Sequence, residues 1–339
     1  MLNSTQVQVM GKNITLPVFL EQIALKEHMK VIEHILALNL RNQITVMFTS
    51  HRVEYLPIFE EIAKKNDIIV LEEPKNKAFI DFLNDKITAD EYVSSLNTTF
   101  PVYTFYEALL LKKLYHNGKI IMQSEPYLEI LERIYSSIID GKISDDPEIK
   151  MIKTIEGKCT EKLIKYHESF LKGDFDEMVQ RTIEFSKADA QRFKVRDYMR
   201  AKEIVKIADK TDKKLLVEAG QIHVLLPEYI KRLSGKDVDV ISIPEIAANY
   251  CGIKMIDNPG NELTKIFILN KKCNEENLKL LAARGLIYIS MISKTEMLPS
   301  RDKPFPHLLE ETKIAEFAYS LSYDECKKKF FEIWRKKKE

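Results

Sequence analysis

Ile44-Thr45-Val46-Met47-Phe48 is a short run that stops at the polar trio Thr49-Ser50-His51 and leads within a few residues to Pro57. The run does not alternate apolar and polar residues, as expected of a strand whose two faces are both covered by helices. Pro57 suits the first turn of the helix that follows, where Leu56, Phe59, Ile62 and Ala63 share one stripe and Lys64 and Lys65 lie near the C-terminal end. Runs of the same kind recur at Ile68 to Leu71, Lys119 to Met122, Leu215 to Val217, Val238 to Ile243 and Ile266 to Leu269. The lengths between most of them suit α-helical crossovers. One such helix, Tyr103 to His116, places Phe105, Leu109, Leu110 and Leu114 at compatible spacing and ends at Asn117-Gly118, a left-handed cap. The expectation is an α/β fold, a central mostly parallel or mixed sheet flanked by helices.

From Ser144 to about Thr211 the pattern becomes almost wholly helical, opened by Ser144-Asp145-Asp146-Pro147, in which Ser or Asp caps and Pro starts a helix. This reads as a long helical insertion. The core with its insertion is expected to occupy residues 1–245, and residues 246–339 a mainly helical C-terminal element. Pro299-Ser300-Arg301-Asp302-Lys303-Pro304-Phe305-Pro306 interrupts that element as a loop. Phe305, Phe330, Phe331 and Trp334 supply it with apolar area for internal packing, a lid or a homo-oligomer surface. The basic run Arg335 to Lys338 reads as a solvated helix end.

Composition narrows the function without naming it. The 339 residues are 45% hydrophobic and 30% charged, which excludes collagen, coiled coil and wholesale disorder. Because 52 Lys and Arg are balanced by 51 Asp and Glu, the formal net charge of +1 gives no broad field for nucleic acid or acidic lipid. Cys159, Cys251, Cys273 and Cys326 stand far apart with no CxxC pair, so reduced thiols in a cytoplasm are expected, not a zinc ribbon or a disulfide framework. The N-terminus lacks the basic start and apolar run of a signal peptide, and no stretch reaches about 18 uninterrupted apolar residues. The P-loop, dinucleotide-binding, zinc-protease and serine-hydrolase signatures are also missing.

Ligands of open α/β sheets gather beyond the carboxyl ends of the strands. Here those ends carry Thr49-Ser50-His51, Glu72-Glu73-Pro74, Gln123-Ser124-Glu125-Pro126 and Gly220-Gln221-Ile222-His223. His51 and His223 each precede a helix, and a neutral imidazole facing the crevice either binds a divalent metal or transfers protons near neutral pH. Glu72 completes a His/His/Glu metal set, with Glu54 or Glu73 as base. Side chains alternate along a strand, so of Glu72 and Glu73 one points inward, assigned here to Glu72, and its neighbour outward. Arg192, Arg196 and Arg200 share a helix face, and Arg196 either holds substrate charge or belongs to a solvated face. His28, His34, His116, His167 and His307 lack such a setting and read as packed or exposed side chains.

At these positions the chain resembles the TraB/Tiki family, within a wider group that includes erythromycin-esterase-like and ChaN-like proteins. The resemblance rests on Phe48-Thr49-Ser50-His51 in the place of a GxxH-type motif, on Leu71-Glu72-Glu73-Pro74, on Arg196-Asp197-Tyr198-Met199, and on a second GxxH, Gly220-Gln221-Ile222-His223. It covers about residues 40 to 235, and Phe48 departs from it where Gly is usual. The resemblance implies a metal-dependent hydrolase acting on a peptide or ester-like bond, with manganese, cobalt or zinc held by His51, Glu72 and His223 and substrate charge by Arg196. Metal-free His and Glu chemistry, and a regulatory protein that binds a peptide or small ligand without turnover, are the alternatives.

Overall fold

The computed structural model describes residues 6–9, 12–15, 40–139 and 145–336. His28, His34, Ser144 and the end of the basic run at Lys337 and Lys338 lie outside the described residues. Gln6–Val9 (β1) and Lys12–Thr15 (β2) pair antiparallel. The sheet that organises the chain has five strands, β3 (Ile44–Thr49), β4 (Ile68–Leu71), β5 (Ile120–Gln123), β6 (Leu215–Gly220) and β7 (Val238–Ser242). Their order is β5-β4-β6-β3-β7 and every pairing is parallel. The α/β expectation holds, and the four polar strand ends fall on four adjacent strands.

Non-alternating strands need cover on both faces, and both are covered. Between β3 and β5 the chain forms α1 (Leu56–Lys64), α2 (Lys77–Leu83), α3 (Ala89–Ser94) and α4 (Pro101–His116). These pack on the face carrying Met47, Ile69, Leu71 and Leu216. Helix α4 ends as expected, with Gly118 at φ +84° after the Asn117 cap, a region that favours glycine. Then follow α5 (Pro126–Ile139), α6 (Pro147–Lys172) and the 34-residue α7 (Phe175–Ala208). Asp146 starts α6 by accepting from the N–H groups of Glu148 and Ile149, with Pro147 in the first turn. The C-terminal half of α7, through Ala201, Ile204 and Ala208, joins α8 (Leu226–Ser234) against Val46, Val70 and Val217 on the opposite face.

Beyond β7 lie α9 (Ile243–Tyr250), α10 (Pro259–Ile268), α11 (Glu275–Met291), α12 (Pro306–Ser320) and α13 (Tyr323–Lys336). Helix α9 still belongs to the sheet's core, through Ile243, Ile246 and Ala247. The others build a second core around Leu286, Ile287, Ala315 and Phe330, and it takes Phe175, Met178 and Val179 from the start of α7. The helical insertion and the C-terminal element therefore share one interior. The expected strand from Ile266 to Leu269 is corrected: these residues form the last turn of α10 and its cap. The Asn258 side chain accepts the N–H of Asn261 and Pro259 follows it, so helix nucleation upstream decides what a four-residue apolar run leaves ambiguous. Among the described residues no helix is long and apolar enough to cross a membrane.

Candidate functional site

Strand alternation sends Glu72 and Glu73 to opposite faces of the sheet edge, but neither leaves the protein. Glu72 shares the face of Val70 and meets α7. Arg196 Nη2 lies 3.1 Å from its Oε1 and Arg200 Nη1 3.6 Å from its Oε2. Just past β6, the backbone turns tightly, with His223 N–H donating to the Gly220 carbonyl at 3.0 Å. Gly220 N–H donates to Glu72 Oε2 at 2.6 Å. His223, only 2% exposed, sets Nε2 2.7 Å from Glu72 Oε1 and Nδ1 against Asp197 Oδ1. Asp197 Oδ2 accepts Leu225 N–H at 3.1 Å, tying the start of α8 to α7. The edge of the Phe193 ring closes over the imidazole at 5.3 Å between centroids.

Charge explains why so polar a cluster survives burial. Three cationic groups, Arg196, Arg200 and protonated His223, face the carboxylates of Glu72, Asp197 and Glu125. Burial opposes charging of His223, but Glu72 and Asp197 outweigh it and raise its pKa to about 9. Burial likewise opposes ionisation of Glu72, but the imidazolium and then the two guanidinium groups hold it well below the usual carboxylate range. Some capacity is left over: both Glu125 oxygens, Arg196 Nε and both terminal nitrogens of Arg200 have no hydrogen-bond partner. Arg200 Nε itself donates to the Ser124 carbonyl at 3.0 Å.

On the other face, Glu73 accepts Gln123 Nε2 at 2.8 Å and burial raises its pKa, with Glu218 adding to the rise. His51 stands exposed beyond the end of β3, stacked 5.9 Å from Phe100 and edge-on 5.3 Å from Tyr103. Its surroundings withhold enough water to lower its pKa, against the pull of Glu72 and Glu73; the charge of His223 also reaches it. Arg52 lies over Phe100 at 5.1 Å and pairs with Glu311 at 3.1 Å.

His51, Glu72, Glu73, Arg196 and His223 thus converge on one end of the sheet. Glu54, the other expected base, is held elsewhere: its Oε2 accepts His307 N–H and its Oε1 Leu308 N–H, both at 2.9 Å, capping α12. Burial raises Glu54 to about 7. His307 is a packing histidine as expected, its Nε2 accepting Met297 N–H at 2.8 Å. Arg200, Glu107, Glu218 and Tyr103 have no role in the site by sequence, and Asp197 enters it only within the Arg196-Asp197 motif of the resemblance. Glu218 has a signal in hindsight, a lone charge within Leu215-Leu216-Val217-Glu218-Ala219, where a buried strand otherwise tolerates none.

The expected divalent metal does not fit this arrangement. Both nitrogens of His223 face carboxylates and two guanidinium groups lie against Glu72, so a divalent cation held by His223 and Glu72 would have to displace the contacts they make. Among the described residues no three His, Cys, Asp or Glu side chains form a group suited to hold a metal ion.

Fold and site define the chain as a parallel α/β protein with a buried imidazolium, carboxylate and guanidinium centre at the carboxyl end of its sheet. A protein of Archaeoglobus fulgidus described as uncharacterized is 39% identical to it over 289 residues, 85% of this chain and 98% of that one. The chain belongs to the family of that archaeal protein. No family model matches the chain, and no solved structure does.

Proposed function

We propose that the protein is a hydrolase-like enzyme acting on a peptide or ester-like bond of a peptide or small-molecule substrate by acid and base chemistry at the ends of β3, β4 and β6. The observation that carries this reading is the placement of two histidines at the ends of neighbouring strands, His51 in surroundings that lower its pKa and His223 among carboxylates that raise it. His51, lowered and exposed, is the imidazole that takes a proton from water; His223, raised and held between Glu72 and Asp197, positions Glu72 and adds its positive field to that of Arg196. Glu73 sits close enough for its charge to reach His51 and assists the base. Arg196, the more accessible of the two guanidinium groups, holds the substrate's anionic oxygen. The resemblance to the TraB/Tiki group supports a hydrolytic reading, and the engaged nitrogens of His223 favour its metal-free form.

Ester and peptide panels with the wild type, His51→Ala and His223→Asn test this. Expected are turnover that a chelator leaves unchanged, and losses of about 10²- to 10⁴-fold in each variant. Restoration of a chelator-silenced enzyme by manganese, cobalt or zinc would return the site to metal chemistry. The nearly sealed His223, Asp197 and Arg200 favour a second reading, a regulatory protein that binds a ligand or peptide without turnover. Silent panels, together with a ligand that raises the Tm, would establish it.

A further inference from the structure

His51 and Arg52 follow one another just past β3 and meet the same ring: the imidazole stacks 5.9 Å from Phe100, and the guanidinium lies 5.1 Å from its centroid. Arg52 is held on two sides. Phe100 offers its π face, and Glu311 of α12 takes Nη2 at 3.1 Å. Nε has no hydrogen-bond partner among the described residues, and the side chain keeps 18% of its surface in solvent. A guanidinium carries five N–H donors, so one carboxylate contact leaves others for a ligand. The neighbouring polar groups are more fully committed. Tyr103 donates its O–H to Glu107 Oε1 at 2.6 Å, and Arg196 faces both Glu72 and Glu125.

We propose that Arg52 is a specificity-determining residue that binds a carboxylate of the substrate beside His51, which makes the substrate a peptide or ester carrying a free carboxylate close to the scissile bond. The planar fork of a guanidinium matches a carboxylate, and the hydrogen bonds it gives are charge-assisted. Phe100 and Glu311 hold the long side chain in place beforehand, so little rotamer freedom remains to be lost on binding. Glu311 also opposes the incoming anion. It therefore orders Arg52 and weakens the ligand's hold on it, and removing its charge while keeping its shape should tighten binding. The carboxylate is the C-terminal group of a peptide or an acidic side chain, which present the same chemistry to Arg52. This deepens the proposed function and rests on it in taking His51 to mark the reacting bond.

Binding is read without turnover, from the NMR signals of the His51 ring at fixed pH, with two matched pairs of probes. N-acetylphenylalanine is set against its amide for the C-terminal group, and N-acetylglutamate α-amide against N-acetylglutamine α-amide for the side chain. In one pair or both, the acid should bind the wild type with a Kd of about 1 mM and its neutral counterpart about 10-fold more weakly. The pair that discriminates identifies the carboxylate. Arg52→Gln should erase the preference, Arg52→Lys should keep part of it, and Glu311→Gln should tighten the acid by about 2- to 5-fold. If Arg52→Gln fails to fold, the matched pairs on the wild type and Glu311→Gln still decide. Equal affinity for acid and neutral probe in both pairs, no binding of either acid, a preference that survives in Arg52→Gln, or weaker binding in Glu311→Gln would overturn the proposal. Acid-selective binding beside silent hydrolysis panels would keep Arg52 in this role and remove the reaction; hydrolysis indifferent to the substrate's charge would do the reverse.

Discussion

Asp197 shows how one residue sets the chemistry of another. It is fully buried, and its two oxygens serve His223 Nδ1 and the backbone N–H of Leu225. Replacing it by Asn keeps the volume but removes one of the two charges that raise His223 to about 9. Removing one partner of a buried ion pair costs about 3 to 5 kcal/mol, because the remaining charge stays desolvated. The pair's stabilisation is present in full below the ordinary histidine pKa and is lost as pH rises towards 9. Asp197→Asn is therefore expected to be destabilised in urea unfolding at pH 6 by about 3 kcal/mol and by less at pH 9, with the His223 midpoint lowered. Equal losses at both pH values would remove the imidazolium from the account. Sequence pointed to His223, Glu72 and Arg196 because each stands at a strand end or on a charged helix face. Asp197 was marked only by its place in the Arg196-Asp197 motif and Glu107 not at all, because their roles depend on which buried side chain a distant element presents to them, and a one-dimensional pattern carries no such partner.

At the scale of elements, two helices beside the site begin in the same unusual way. Phe100-Pro101 opens α4 and Phe305-Pro306 opens α12, and neither N-cap side chain satisfies the free N–H groups. Each helix borrows a glutamate from the other's neighbourhood. Glu54, at the end of the β3 loop, caps α12, while Glu296, from the segment before α12, accepts Val102 N–H at 3.0 Å and Tyr103 N–H at 2.8 Å. A carboxylate at a helix N-terminus satisfies orphan donors and complements the helix dipole. Glu296→Ala should cost about 1 to 2 kcal/mol, and because Tyr103 packs on His51 it should also broaden the His51 ring signals in NMR. A loss of stability without any change at His51 would show that the cap leaves the His51 ring and its neighbours undisturbed. The strands and most helices were legible from apolar runs and local caps such as Asp146-Pro147. These borrowed caps were not, since a Phe-Pro start predicts a helix without naming the acceptor, and Glu54, three residues from His51, reads equally as a local cap or as a base in the pocket.

Over the whole molecule, α7 joins the two cores, its first residues inside the C-terminal helices and its last against the sheet, with Arg196, Asp197 and Arg200 between. Global unfolding therefore releases the site's charges together, and their sum shapes the stability curve. Glu54 and Glu218, raised to about 7, hold protons in the folded state that the unfolded chain has already lost above about 4.5, so stability falls as pH rises between those values. His223, raised to about 9, continues the decline from 6.5 upwards. Glu72, held low, opposes the trend only on the acid side, where stability is lost as pH falls below its ordinary carboxylate range. His307, lowered to about 4, and His51, also lowered, work the other way below about 6.5, so the balance places the maximum near pH 5 with a net decline on the order of 1 kcal/mol per pH unit towards neutrality, which His223 sustains beyond. Thermal melts from pH 5 to 9 should show Tm falling throughout. Glu54→Gln, which retains an acceptor for α12 but cannot ionise, should flatten the segment between pH 5 and 7 and leave the segment from 7 to 9 as steep as in the wild type. A Tm that rises from pH 5 to 7 would mean that the buried carboxyls ionise at ordinary values, and that the network around Glu72 is open to water.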